Sequence, residues 1–165
     1  SKIFTQPFTV DKSVIVKART FKKGSAPGFT KMNRITFIDS LKNGLHYNYY
    51  LGTWVKLPNF SKLKPIRSGN IFDISLNEFD EFDNAFAIVF SGEIDIQKED
   101  AYTFYLRSND GSKLFIDGKV VIDFDGLHGT SFKKGKINLN KGRHQIRLEY
   151  FQAGGGKGLE LRYKS

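Results

Sequence analysis

The 165-residue chain has no cysteine. Disulfides, thiol nucleophiles and cysteine-based zinc sites are thereby excluded. Long apolar runs are missing too. Runs such as Phe86-Ala87-Ile88-Val89-Phe90 fall far short of the roughly 18 residues a membrane span needs, so no membrane insertion is expected. Residues 1–7 do not have the build of a signal peptide, which leaves a cytosolic chain or one whose leader has been removed. No stretch of about eleven residues shows the spacing of an amphipathic helix. With four prolines and one tryptophan against 16 glycines, 16 phenylalanines and 7 tyrosines, the chain is instead rich in turn formers and strand-favouring rings. A chain of this length fits one domain with a small appendage and buries roughly 70% of its unfolded surface, enough for a core without covalent staples.

The formal net charge of +9 raises the question of a nucleic-acid partner, and its distribution argues against one. Residues 1–45 carry nine Lys/Arg and two Asp, leaving only +2 for residues 46–165. Residues 73–100 hold nine acids and one Lys. A nucleic-acid domain concentrates base on one element among exposed aromatics. Here the main body is nearly neutral, and the basic excess reads as a solvated face of an appended segment.

What periodicity there is has period two. Tyr102, Phe104 and Leu106 alternate with Thr103, Tyr105 and Arg107, and Ile146, Leu148 and Tyr150 alternate with Arg147, Glu149 and Phe151. Leu159, Leu161 and Tyr163 alternate with Glu160, Arg162 and Lys164, and residues 13–21 carry Val14-Ile15-Val16 ahead of a basic run. Such alternation marks half-buried antiparallel strands. Asp117-Gly118 between residues 113–116 and 119–122 predicts a two-residue hairpin, whose turn needs positive φ at both central positions. Asp110-Gly111, Asp125-Gly126 and Asn140-Lys141-Gly142 supply further turns. The expected fold is all-β, an antiparallel β-sandwich or barrel with a short N-terminal β segment. A boundary is expected within residues 38–43, where a short, basic pattern broken at residues 24–28 gives way to the aromatic density of Tyr47, Tyr49, Tyr50 and Trp54; residues 1–38 alone are too few for an independent core. Residues 77–84, acidic and apolar only at Phe79 and Phe82, read as a loop.

Catalytic patterns are absent. There is no Gly-x-Ser-x-Gly, and His46, His128 and His144 are scattered without metal-ligand spacing. His144 reads as a structural histidine on a strand face. Gly154-Gly155-Gly156 lacks the Gly-Lys-Ser/Thr ending of a phosphate loop and joins two strands rather than a strand and a helix. Asp123 and Asp125 lie two apart on a turn, where acids serve as turn formers or oxygen ligands more often than as acid/base pairs. Asn109-Asp110-Gly111 and Asp123-Phe124-Asp125-Gly126 follow strand ends and are rich in side-chain oxygen. They read either as Asx turns closing hairpins or as donors to a hard cation such as calcium, which takes six to eight oxygens. Trp54 reads either as a platform for stacking on a sugar or as a packed ring against Tyr49 and Phe60.

These same residues carry a family resemblance. Tyr102-Thr103-Phe104, Ser108-Asn109-Asp110-Gly111-Ser112, Leu114-Phe115-Ile116-Asp117-Gly118 and Val120-Val121-Ile122-Asp123 resemble the signature of the protective-antigen fourteen-kilodalton (PA-type) domain. Asp123-Phe124-Asp125-Gly126-Leu127-His128-Gly129 is similar to the D-N-D-G-x-H-G of its bacterial branch, and Leu139 to His144 to its L-x-x-G-x-H. Tyr47-Asn48-Tyr49-Tyr50, Phe90-Ser91-Gly92 and Glu149-Tyr150-Phe151-Gln152 extend the likeness over about residues 44–164. Residues 13–24 resemble a strand of the chitobiase C-terminal or fibronectin-III-associated β domain. The implied organisation is a partial segment of that kind over residues 1–43 and a PA-type barrel over residues 44–165.

The resemblance implies a non-catalytic carbohydrate-binding or adhesion module, a monomer fused to a larger secreted, periplasmic or cell-surface bacterial protein. A neighbouring glycoside hydrolase or other polysaccharide-processing domain is the expected partner in the same polypeptide. A spacer that orients such a catalytic domain is the alternative. Two adjacent acids, joined by a cis peptide, bind calcium in the lectin branch of the family. The matching positions are Asn109 and Asp110, the expected metal ligands here. Asn in place of an acid keeps an oxygen but removes a charge, which weakens calcium. The expected glycan-binding set is Asn109, Asp110, Asp125, His128, Gln152, Lys157 and Trp54.

Overall fold

The computed structural model describes residues 9, 14–26, 28–35, 44–79 and 85–165. The chain divides into two compact units, Ser1–Asn43 and Gly44–Ser165. In the first, β1 (Val14–Ala18) pairs antiparallel with β2 (Lys31–Ile35). A two-stranded ribbon is marginal in water by itself. The boundary expected within residues 38–43 lies outside the described residues.

The second unit is a two-sheet antiparallel structure. Its strands are β3 (Leu45–Leu51), β4 (Arg67–Ile71), β5 (Phe86–Ile96), β6 (Asp100–Asn109), β7 (Ser112–Ile116), β8 (Lys119–Phe124), β9 (Ser131–Leu139), β10 (Gly142–Gln152) and β11 (Gly158–Lys164). One sheet has the order β4-β3-β5-β10-β7-β8 and the other β11-β6-β9. Tyr49, Ile88, Phe90, Phe104, Leu106, Leu114, Leu148 and Tyr150 form the core between them, each 1% exposed or less. Burying each such side chain is worth roughly 1.5–3 kcal/mol. Burial pushes the Tyr49 phenol up to about 12. Among the described residues, no helix is long and apolar enough to cross a membrane.

The hairpin read at Asp117-Gly118 is present, with φ of 49° and 74° at its two central residues. The uninterrupted apolar run 86–90 is buried on both faces. One face of β5 meets the main core. The other meets a second cluster of Tyr50, Phe60, Ala87, Val89 and Phe151, capped by Trp54, Leu57 and Leu63. A strand covered on both sides needs no polar alternation.

Residues 77–84 are only partly the loop their acidity predicts. Asn77–Phe79 is a short 3-10 helix that inserts Phe79 into the core against Tyr47 and Tyr49, at centroid distances of 5.0 and 5.6 Å. Phe82 lies outside the described residues.

His144 is structural, and its geometry explains the Leu139-to-His144 motif. Its Nδ1 lies 2.6 Å from Asp117 Oδ2 and its Nε2 lies 2.9 Å from the Asn140 carbonyl. Asp117 Oδ1 accepts from the Gln145 amide at 2.9 Å. Two turns are thus tied together. The Asp117 carboxylate and the Asn140 carbonyl raise the His144 pKa, and the His144 hydrogen bond lowers that of Asp117.

Both shifts make stability depend on pH. The stabilisation from His144 is full below about pH 6.5, the unfolded imidazole value, and is lost as pH rises through the raised folded value. That from Asp117 is full above about pH 3.9 and is lost as pH falls through the lowered one. NMR titration is expected to place the His144 ring above free imidazole. Asp117→Asn should return it towards that value and remove the extra alkaline loss of stability.

Candidate functional site

Four connections gather at the end of the sandwich where β6, β8 and β10 finish. They are residues 110–111, 125–130 and 153–157, and residues 52–58 between β3 and β4. The Asn109–Asp110 peptide is cis. Beneath it Ser108 and Ser112, both fully buried, share a hydrogen bond of 2.7 Å. Gly111 is needed by space rather than by turn geometry. A Cβ there would sit 2.4 Å from the Phe151 ring and 2.8 Å from the Gly126 nitrogen.

Asp110 is the hub. Its side chain is only 6% exposed. Oδ1 accepts from the His128 backbone N–H at 3.1 Å and Oδ2 from the Ala153 N–H at 2.9 Å. One carboxylate therefore holds the β8–β9 and β10–β11 connections together. Asp125 makes the next link. Its Oδ1 accepts from Leu57 N–H at 2.7 Å and from Gly126 N–H at 2.8 Å, tying in the β3–β4 connection and closing its own turn. Asp123 accepts from the Asp125 N–H at 3.3 Å and pairs with Lys113 at 2.9 Å. That pairing raises the Lys113 pKa and lowers that of Asp123. The Asx-turn reading holds for this segment.

The His128 ring stacks on Phe124, with a centroid distance of 3.9 Å and an interplanar angle of 19°. Its nitrogens face the carbonyl oxygens of Gly129 and Phe124 at 3.0 and 3.2 Å. Lys133 donates to the Asp123 carbonyl at 2.6 Å and lies 5.9 Å above the Phe124 ring centroid. These contacts fix the 125–130 loop from both sides.

The β10–β11 loop is shaped from inside by Gln152, which is 2% exposed. Its Nε2 donates to the Gly154 carbonyl at 2.7 Å and approaches that of Gly156 at 3.4 Å. Gln152 is thus enclosed by its own loop, which it positions. The Tyr150 hydroxyl reaches two acceptors, the Asn109 carbonyl and Gln152 Oε1, and its single proton serves one at a time. Burial drives the Tyr150 phenol well above its ordinary value, with the Gly158 backbone acting in the opposite sense. Asn109 donates to Thr130 Oγ1 at 3.2 Å and lies beside Gly156 of the β10–β11 loop. The nearest approach of a Cβ built on Gly156 would be 3.8 Å from Asn109 Nδ2.

Asn109, Asp110, Asp125, His128 and Gln152 are thus brought into one network. Lys157 lies half-buried in the same β10–β11 loop. Trp54 is half-buried over the second cluster, which includes Phe60 and Tyr50 rather than Tyr49. Its ring packs so closely on Gly52 that a Cβ there would be 2.6 Å from it. Sequence reasoning missed Tyr150, Thr130 and Leu57. Tyr150 stands in the Glu149-Tyr150-Phe151-Gln152 motif but reads there as core. No local signal marks the Thr130 hydroxyl or the Leu57 amide.

Calcium binding would draw on the oxygen donors of these loops. Six to eight oxygens are required. Among the described residues no three Asp, Glu or His side chains converge. Both Asp110 oxygens already accept backbone N–H groups, and residues 153–157 carry no acid.

Comparison with known proteins places this fold. A curated relative, the anti-sigma-I factor RsgI3 of Acetivibrio thermocellus, is 28% identical over 125 residues, covering 74% of this chain and 19% of its own length. The chain thus spans about a fifth of that relative. The PA14 sugar-binding domain of an RTX adhesin superposes with a TM-score of 0.60 at 16% identity, covering 74% of this chain and 89% of that one. A β-glucosidase of Kluyveromyces marxianus does so with a TM-score of 0.61 at 19% identity, covering 77% and 17%. The family model described as the PA14 domain matches residues 41–165. It gives no support to the chitobiase-type resemblance of residues 1–43. Matched over most of its length and sharing that two-sheet fold, the chain belongs to the PA14 domain family.

Proposed function

We propose that the domain is a non-catalytic carbohydrate-binding module that works without a metal ion. The observation that carries the reading is the loop cluster organised on Asp110. Three connections are held by buried polar bonds at one end of a rigid sandwich, and their exposed rim offers amide, hydroxyl and imidazole groups. Sugar recognition needs polar groups fixed in direction with little ordering cost on binding. Asn109, Thr130, His128 and Lys157 would meet hydroxyls, while Asp110, Asp125, Gln152 and Tyr150 hold the loops. The PA14 sugar-binding domain of the RTX adhesin and the β-glucosidase with a similar domain support this reading. The parent polypeptide is then a secreted or surface protein acting on polysaccharide, with the module delivering it to glycan.

A glycan array probed with the 165-residue chain tests this. The expected result is a signal unchanged by EDTA and reduced at least tenfold by Asn109→Ala, with the melting temperature of that variant checked in parallel. A signal abolished by EDTA overturns the metal-free mode. No signal with any glycan favours a spacer that orients a neighbouring domain. Release of sugar from a chromogenic glycoside would overturn the non-catalytic assignment.

A further inference from the structure

The outer face of the three-stranded sheet carries a charge pattern that the loop cluster does not use. Along β6, Tyr102, Phe104, Leu106 and Ser108 point into the core, so Thr103, Tyr105 and Arg107 point out. The register gives their neighbours. Thr103 lies between Lys164 of β11 and Lys136 of β9, Tyr105 between Arg162 and Lys134, and Arg107 between Glu160 and Phe132. Five cations and one acid share this face. Glu160 is engaged by Arg162 at 2.7 Å. Phe132 is 69% exposed.

The spacing makes the charges act together. Lys134 and Lys136 are two residues apart on one strand, about 7 Å, and each row spans two strand separations, about 9.5 Å. These distances are comparable to the Debye length of about 8 Å at physiological salt, so the fields add at the surface. Lysines on edge strands guard against edge-to-edge pairing. That purpose accounts for β9 and β11. It does not account for Arg107, which lies on the central strand, nor for an open phenylalanine in the same row.

We propose that this face binds an acidic polysaccharide, a chain bearing carboxylate or sulfate groups, at a surface separate from the loop cluster. The cations meet the anionic groups, and Phe132 meets the apolar face of a sugar ring. Single-stranded nucleic acid fits less well. Its non-specific binders offer successive open rings for stacking bases. Here Tyr105 is half-buried with the Lys164 ammonium 5.8 Å from its ring centroid, which leaves Phe132 as the open ring of the face.

Affinity electrophoresis of the 165-residue chain through gels containing polygalacturonate, dextran sulfate, neutral dextran or polyadenylate RNA tests the proposal. Retardation is expected with at least one acidic polysaccharide, weakening as salt rises, and not with dextran. Lys134→Glu with Lys136→Glu should weaken it about tenfold or more, the scale of reversing two exposed charges. Phe132→Ala should weaken it about threefold. A second pair, Lys134→Gln with Lys136→Gln, should give an intermediate loss, with melting temperatures confirming that each variant folds.

No retardation by either acidic polymer, equal retardation of the charge-reversed variant, or tighter binding to RNA than to both acidic polysaccharides would each overturn the proposal. Neutral-glycan binding by the loop cluster is expected to survive the charge reversal, so the two surfaces fail separately.

Discussion

Asp110→Ala is expected to abolish glycan binding and to lower the stability of the domain by about 3–5 kcal/mol. The carboxylate is 6% exposed and accepts from two backbone N–H groups 18 and 43 residues away in sequence. A hydrogen bond to a charged group is worth roughly 1.5–3 kcal/mol, and an orphaned buried donor adds a desolvation cost. Alanine removes both bonds at once and leaves the His128 and Ala153 amides without their acceptor. Urea unfolding followed by tryptophan fluorescence and circular dichroism would read the loss as a lower midpoint at unchanged slope. Amide hydrogen exchange should show the largest gain at residues 128 and 153. Asp110→Asn offers one oxygen and turns an NH2 group against the second backbone donor, so it should fall between wild type and alanine. Equal stability of Asp110→Ala and wild type would remove Asp110 from the centre of the site.

The second large effect is expected at a residue with no side chain. Gly135 lies in β9 at the point where β8 passes it. A Cβ there would sit 2.0 Å from the Val121 carbonyl oxygen and 2.8 Å from Ile122 Cγ1. The nearest atom is backbone and cannot rotate away. Ordinarily a strand glycine replaced by alanine gains about 0.5–1 kcal/mol. Here the close approach reverses the sign, and Gly135→Ala should cost about 3 kcal/mol, the upper end of overpacking. For a chain of this size that is a fall in melting temperature of roughly 6–12 °C. Gly129→Ala is the matched control, because nothing lies within 4 Å of a Cβ there. A melting temperature unchanged in Gly135→Ala would show that β8 and β9 separate more easily than their backbones indicate.

β9 also shows why some of the fold was hidden in the sequence. Residues 102–106, 146–150 and 159–163 announce strands because one face is apolar and the other polar. Residues 131–136 read Ser-Phe-Lys-Lys-Gly-Lys and announce nothing. The inner face of β9 at Gly135 is filled by the backbone of β8, not by a side chain of its own. Lys133 faces inward too, its ammonium donating to the Asp123 carbonyl beside the Phe124 ring. β4 is obscure for a related reason. Only Ile71 of its five residues is buried. Phe79, placed in a loop by its acidic neighbours, proves to be fully buried core, because the rings that receive it come from β3, 30 residues earlier.

The candidate site divides in the same way. Motif order located Asn109, Asp110, Asp125 and His128, since turns with side-chain oxygens are written locally. The direction of those oxygens is not written locally. Asp110 and Asp125 point at backbone amides in other loops, and Gln152 points inward at its own loop. A contact across 68 residues, as between Asp125 and Leu57, leaves no periodic trace in the chain.

The absences met first bound the protein only coarsely. Without cysteine, a long apolar run or helical spacing, the chain had to hold together by β burial, and alternation with turn chemistry was enough to indicate two antiparallel sheets. Those are local properties of a chain whose side chains point alternately to two faces. Which loops meet, which carboxylate joins them and which cations share one surface depend on strand order and register. The charge of the main domain, nearly cancelled along the sequence, is separated in space, with five cations on the outer face of one sheet. Summing along a chain discards position, and only the tertiary structure restores it.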